Sequence, residues 1–181
     1  MIFEEKKITL KNGVNAVLKT PEIEDAEMLL NNVKQTTAET DFFSRYPEEW
    51  DMNIEQEKEW IKQMRESSDS FVITCYIDGK AVGSCDIRFN SGLKTAHRAL
   101  VGIALLKDYW NIGIGSAMFS ELINEAHKRN IEFMELEFVE GNERGKALYE
   151  KFGFEVVSVK PKVCKLKDGT YQNLVYMQKY L

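Results

Sequence analysis

Apolar residues recur at helical spacing in four stretches of the chain. Ile23, Ala26, Leu29, Leu30 and Val33 mark the first. Thr20-Pro21-Glu22 ahead of them reads as an N-cap, a proline at the first helical position and an acid in the first turn, so a helix is predicted from about Pro21 to Thr36. Ile54, Trp60, Ile61 and Met64 repeat the pattern over Asn53 to Met64. Met118, Phe119, Leu122, Ile123 and Ala126 do so over Gly113 to Lys128, and Asn142 to Phe152 forms the fourth helix. Between the helices lie β-rich runs: Phe71 to Ile77 and Lys80 to Phe89, joined by the hairpin signal Asp78-Gly79; His97 to Leu106, entered through the turn Ser91 to Thr95; and Phe133 to Val139. A last hairpin has arms Phe154 to Leu166 and Tyr171 to Tyr180, joined by Lys167-Asp168-Gly169-Thr170. This order predicts a single α/β (mixed α+β) domain over residues 1–181. Its three layers would be a central, mostly antiparallel mixed sheet of about seven strands with helices on both faces.

Composition narrows the classes of function. With 24 basic and 29 acidic side chains the formal charge is −5, and no basic run supplies the footprint a phosphate backbone needs, so nucleic acid is not expected as a partner. The longest nonpolar run, Ala99 to Leu106, falls well short of the roughly 20 residues that cross a bilayer, and Met1-Ile2-Phe3 gives way at once to Glu4-Glu5-Lys6-Lys7. Neither a membrane span nor a secretory signal is expected. Cys75, Cys85 and Cys164 are odd in number, apolar in surroundings and without C-x-x-C spacing, which argues against a disulfide framework or a metal site and suits a reducing cytoplasm.

The stretch from Leu105 to Ala117 turns a strand through Gly113 and Gly115 directly into a helix. Such a start is an anion site, because its first amides lack intrahelical partners and the helix dipole puts partial positive charge there. Glycines allow close backbone approach to a phosphate; they equally permit tight helix–strand packing. Walker A is absent, and the dinucleotide fingerprint would need a third glycine where Met118 stands, although Glu137 lies at a suitable distance for a ribose contact. Two helices and two hairpin strands ahead of the loop also argue against a nucleotide fold, which would begin with it.

Trp110-Asn111-Ile112-Gly113-Ile114-Gly115 resembles the acetyl-CoA loop [Q/R]-x-x-G-x-[G/A] of the GCN5-related N-acetyltransferase (GNAT) superfamily, with Trp110 in place of Gln or Arg. Asn142 to Phe154 resembles the family's N-x-x-[A/G]-x-x-L-Y-x-[K/R]-x-G-F segment. The resemblance spans roughly Ala99 to Phe154. It implies acetyl-CoA as cosubstrate, with Ile103, Ala104 and Leu105 pairing with the pantetheine arm through their backbone. Asn111, Ile112, Gly113, Ile114, Gly115, Ser116 and Ala117 would lie around the pyrophosphate. Asn142 and Tyr149, seven residues apart on one helix face, could both look at the ligand; Asn142 could equally be an N-cap alone, and Tyr149 plain aromatic core.

The implied chemistry is aminolysis of a thioester. An alkylamine of pKa near 10.4 is neutral in only about one molecule in 2,500 at pH 7, a handicap of ~4.6 kcal/mol that a base or a desolvating pocket reduces. Tyr149 would protonate the departing thiolate. Glu137 is the leading base; it shares a strand face with Glu135, and two such acids can also be simply solvated. Asp86 and His97 are weaker candidates. The acceptor would be the amine of a small molecule or a protein N-terminus, with a cationic one mildly favoured by the acidic balance. A homodimer is compatible with the sequence. A non-catalytic acyl-CoA-binding sensor or scaffold is the alternative. The connection from Thr37 to Asp51 carries Phe42, Phe43, Tyr46 and Trp50 together with Asp41, Glu48, Glu49 and Asp51. It reads either as an acceptor lid in which Phe43 and Tyr46 touch substrate, or as a loop pinned to the core by its aromatics.

Overall fold

The computed structural model describes residues 1–181. Eight strands form one sheet in the order β1-β2-β3-β4-β5-β6-β8-β7, antiparallel throughout except for β5 beside β6. Strands β1 (Lys6–Thr9) and β2 (Asn15–Lys19) lie in the first twenty residues, for which the hydrophobic pattern predicted nothing. They are short and rich in lysine, and only Ala16 and Leu18 of β2 are buried, so they leave almost no periodic signal. The predicted opening of the first helix is corrected. Thr20 is buried and its hydroxyl accepts the Phe3 N–H at 2.8 Å, tying the N-terminus down instead of capping a helix. A 3-10 turn, Ile23–Asp25, intervenes, with the Glu22 N–H donating to the Asp25 carboxylate at 3.0 Å, and α1 runs Ala26–Ala38.

From there the chain follows the pattern closely. Helix α2 (Ile54–Glu66) begins with a reciprocal capping box, in which the Gln56 N–H donates to Asn53 Oδ1 and the Asn53 N–H to Gln56 Oε1, both at 2.9 Å. Strands β3 (Ser70–Ile77) and β4 (Lys80–Phe89) turn through Asp78 and Gly79 at φ 49° and 76°, the positive pair that a two-residue hairpin requires. Then come β5 (Arg98–Leu105), α3 (Ile114–Lys128), β6 (Phe133–Val139), α4 (Glu143–Lys151), β7 (Glu155–Lys165) and β8 (Tyr171–Tyr180).

Alternation along the strands sorts the side chains into two faces. Ile73, Cys75, Cys85, Ile87, Val101, Met134, Leu136 and Met177 face the main core, where Met118, Phe119 and Leu122 of α3 and Tyr149 of α4 pack on them. On the opposite face Ala26, Leu29 and Ile61 of α1 and α2 meet Tyr76 and Ala81 in a smaller cluster. One departure from regular pairing positions the site. β5 and β6 are in register only at Arg98↔Phe133, Ala99↔Met134 and Leu100↔Glu135, and beyond these the two parallel strands diverge. Their facing edges, Val101 to Leu105 and Leu136 to Val139, therefore lack each other as partners.

Candidate active site

A cavity of about 1330 Å³ occupies this divergence and runs from the start of α3 to α2 and the chain after α1. At one end β5 leads through a 3-10 turn, Lys107–Tyr109, into a loop where Asn111 and Gly113 adopt positive φ, 64° and 104°. Gly113 is thus the N-cap of α3 in a conformation that side chains resist, and no side chain caps this helix. The amides from Ile112 to Ser116 have no acceptor within the protein, whereas the Ala117 N–H is taken by the Gly113 carbonyl at 3.0 Å. Cations ring these donors. Lys11 lies alongside Gly113, Lys151 donates to Ser116 Oγ at 2.8 Å, and Arg144 reaches Asn111 Oδ1. Asn111, Gly113, Ile114, Gly115 and Ser116 line the cavity; Ile112 and Ala117 do not.

The two glycines differ in what they do. A Cβ on Gly115 would sit 3.0 Å from Leu148 Cδ2, 3.6 Å from Ile103 and 3.7 Å from Leu105, so its missing side chain lets α3 pack on β5 and α4. Gly113 supplies the left-handed turn. Trp110, which departs from the family pattern, donates its indole N–H to the Leu105 carbonyl at 2.9 Å and carries Arg144 over its ring at 4.5 Å. It fastens the loop to the strand, and it takes one of the three β5 carbonyls expected to meet a pantetheine. Ile103 and Leu105 point into the core, while Gly102 and Ala104 leave room on the other face, as strand alternation predicts.

Asn142 is an N-cap: its Oδ1 accepts the Gly145 N–H at 2.9 Å, and the residue also borders the cavity. Tyr149 is buried between Phe119 and Phe138, with ring centroids at 5.4 and 5.5 Å. Its hydroxyl has no protein partner, yet it is not among the sealed orphan atoms, so it reaches the cavity that the residue lines. Burial pushes its pKa up to about 12, which keeps the phenol protonated.

Three carboxylates on the sheet have different surroundings. Glu135 is buried, accepts from Arg98 Nε at 2.9 Å and Gln178 Nε2 at 2.8 Å, and also bonds the Tyr176 hydroxyl. Burial raises its pKa, but the hydrogen bonds from Arg98, Tyr176 and Gln178 outweigh this and hold it low; Glu135 is a structural anion of the sheet. Glu137 borders the cavity and is ion-paired with Lys160. Asp86, on β4 opposite Gly102, forms no ion pair or side-chain hydrogen bond; burial pushes its carboxyl above the usual range, with the Arg88 charge pulling partly back. A Cβ on Gly102 would lie 2.8 Å from Asp86 Oδ1, so the glycine makes space for this carboxylate where β5 and β6 begin to part. Sequence reasoning ranked Asp86 low because nothing local marks it; the cross-strand glycine that makes its space lies sixteen positions away in the chain. His97 packs edge-on against Phe133 and is not part of the cavity wall.

The aromatic connection is not buried. Phe42 and Phe43 line the cavity, but Tyr46 does not: its hydroxyl accepts the Lys167 N–H at 2.9 Å, and Lys167 Nζ lies 4.3 Å over its ring. Glu48 pairs with Lys167, and Glu49 accepts the Tyr46 N–H at 2.6 Å. The loop is thus latched to the tip of the β7–β8 hairpin through Tyr46 and Glu48, while Glu49 closes the short turn that carries them.

The model of the Acetyltransferase (GNAT) family matches residues 36–154. The chain is 26% identical over 119 residues to the L-amino acid N-acetyltransferase AaaT of Escherichia coli (strain K12), covering 65% of this chain and 73% of that protein. It is 32% identical over 82 residues to the [ribosomal protein bS18]-alanine N-acetyltransferase of Haemophilus influenzae, over 45% of this chain and 56% of that one. An acetyltransferase structure from Salmonella typhimurium, solved with its cofactor acetyl-CoA, shares the fold at a TM-score of 0.78 and 17% identity, covering 92% of this chain and 94% of the other. No helix is long and apolar enough to cross a membrane. With the divergent β5–β6 pair, the uncapped glycine-turned helix and a family match across most of its length, the chain belongs to the GNAT family of N-acetyltransferases.

Proposed function

We propose that the chain moves an acetyl group from acetyl-CoA to a primary amine by direct aminolysis, with Asp86 as base and Tyr149 as acid. The observation that carries this is the opening between β5 and β6, which runs from a cation-ringed set of free amides to an unpaired carboxylate. The pyrophosphate binds the amides from Ile112 to Ser116, with Lys11, Arg144 and Lys151 beside it. The pantetheine amides lie along the free edge of β5 at Ile103 and Ala104, in the manner of an added strand. This brings the thioester toward Gly102 and Asp86.

Of the three carboxylates on the cavity, Asp86 is the best base, because it holds no cation, its desolvation raises its affinity for a proton and it stands where β5 and β6 part, while Glu137 is engaged by Lys160 and Glu143 lies on the first turn of α4. The acceptor nitrogen gives its proton to Asp86 and forms the C–N bond. The C–S bond breaks, and the thiolate takes the Tyr149 proton. N-acetyl product and CoA thiol leave, and solvent resets both side chains. Nothing in the comparisons favours the non-catalytic sensor or scaffold. Calorimetric titration with acetyl-CoA, followed by a free-thiol assay on an amine panel, tests the reading: binding with amine-dependent thiol release supports it, and binding without release on any amine overturns it.

A further inference from the structure

The acceptor half of the cavity has a simple charge pattern. Lys11, Arg144 and Lys151 gather around the start of α3, Glu143 opens α4, and Glu137 is held by Lys160. Among the charged side chains on the β4 wall of the cavity that leaves Asp86 and Arg88, neighbours on one face of the strand, neither of which forms an ion pair within the protein. Two positions along a strand span roughly 6.6 Å. Asp86 stands opposite Gly102, where β5 and β6 begin to diverge; Arg88 stands opposite Leu100 and Ser70, toward α2. They do not bridge to each other. An unbridged anion and cation on one wall are complementary to a molecule that carries both charges, and Arg presents a fork suited to a carboxylate.

We infer that the acceptor is a free amino carboxylate, its amine at Asp86, its acid group on Arg88 and an apolar side chain against Phe43, Trp60 and Met64. The inference rests on the acetyl-transfer reading above and sharpens it. A peptide N-terminus would place a neutral amide beside Arg88 and leave the guanidinium without a counter-charge. A polyamine or aminoglycoside would place a second cation there, so the local charge runs against the cationic acceptor that the net charge of −5 suggested. Trp60, Met64 and Phe43 on the same cavity favour a carbon side chain over a small polar one.

Matched probes separate these acceptors: L-methionine, L-methioninamide and 3-(methylthio)propylamine, the same series for L-leucine, an alanine-initiated peptide, and spermidine. Acetyl-CoA binding is followed by calorimetry alongside. The free acids should exceed their amides and decarboxylated amines by about tenfold or more in kcat/KM. Arg88→Met should lower kcat/KM for the acids by roughly 30-fold or more, mainly through KM, and leave the amides within about threefold. Arg88→Lys should restore part of the preference. Preference for the amides, the peptide or spermidine, or an Arg88→Met loss equal across all probes, would overturn the inference while leaving acetyl transfer standing. Acetyl-CoA bound but no probe acetylated would likewise overturn the acceptor class. Failure to bind acetyl-CoA at all would remove the transfer reading with it.

Discussion

The two ends of the cavity are built from different materials. The end proposed for acetyl-CoA uses backbone: free amides at a helix start, a left-handed Gly113 and a strand edge without a partner, all within residues 101–116. The end proposed for the acceptor uses side chains from α2, β3, β4 and the chain after α1, brought together only by the fold. Backbone sites constrain a short run of sequence tightly, because few residues tolerate the conformation or the close approach. Side-chain sites can be assembled in many ways from distant positions. In this chain one end is accordingly written in a single short run and the other in positions spread from Phe43 to Arg88.

Substitutions should divide along the same line, with chemistry at their meeting point giving the largest effect. Asp86→Asn is expected to lower kcat/KM by about 10³-fold with acetyl-CoA affinity unchanged. Its stability should move the other way. Because burial raises the Asp86 pKa, the folded protein holds that proton more tightly than the unfolded chain; the associated stability is full below the ordinary value and is lost as pH rises through the raised one. The Asn variant should therefore melt higher than the parent near pH 7, and the gap should close as pH falls toward the ordinary carboxyl value. The parent's kcat/KM should fall as pH drops through the same raised value. A variant that keeps activity within threefold, or melts lower at pH 7, would remove Asp86 from the mechanism.

Tyr149→Phe should lower turnover by roughly 10²-fold and leave acetyl-CoA binding in place, since it removes the hydroxyl and keeps the ring packed between Phe119 and Phe138. With its pKa pushed up to about 12, no alkaline loss attributable to this group is expected at ordinary assay pH. At the cofactor end, Gly113→Val forces a β-branched residue to φ 104° and brings its Cβ within 3.3 Å of Lys11. The acetyl-CoA dissociation constant should rise about tenfold, equivalent to ~1.4 kcal/mol. Gly115→Val behaves differently: the added methyls meet Leu148, so melting temperature falls along with affinity. Equal behaviour of the two variants in calorimetry and thermal melts would erase the distinction drawn between a turn glycine and a packing glycine.

How much was legible follows from the same division. Strands β4, β6 and β8 occupy the predicted residues, and α2, α3, α4, β3, β5 and β7 lie within a residue or two of theirs, because each has a strong period and a cap or turn at its ends. The first twenty residues were opaque because short, lysine-rich strands with two buried side chains are held by their neighbours and not by their own pattern. Thr20 misled for a related reason: a hydroxyl before a proline is a good cap, but here a strand-end contact to Phe3 takes it. The glycine loop and the Asn142 to Phe154 segment stand out in the sequence because local geometry dictates them. Asp86 and Arg88 do not, since alternation places them on a face without saying what lies across from it. The partial separation of β5 from β6 has no local signal at all.

The aromatic connection gives the smallest expected effects and the finest test. Phe43 and Tyr46 were indistinguishable in sequence, three positions apart in a segment without periodicity. In the structure Phe43 lines the cavity, while Tyr46 holds Lys167 of the β7–β8 turn. Phe43→Ala removes an apolar wall and should raise the acceptor KM by roughly threefold to tenfold, with the acetyl-CoA dissociation constant and melting temperature unchanged. Tyr46→Phe deletes only an exposed acceptor of one backbone N–H, a group that water can serve, and should change acceptor KM by less than about twofold. Its effect, if the latch steadies the loop, should show as faster amide exchange over residues 41–50 and around Lys167. A larger KM change for Tyr46→Phe than for Phe43→Ala would mean that closure of the loop, and not the wall it presents, controls access to the acceptor end.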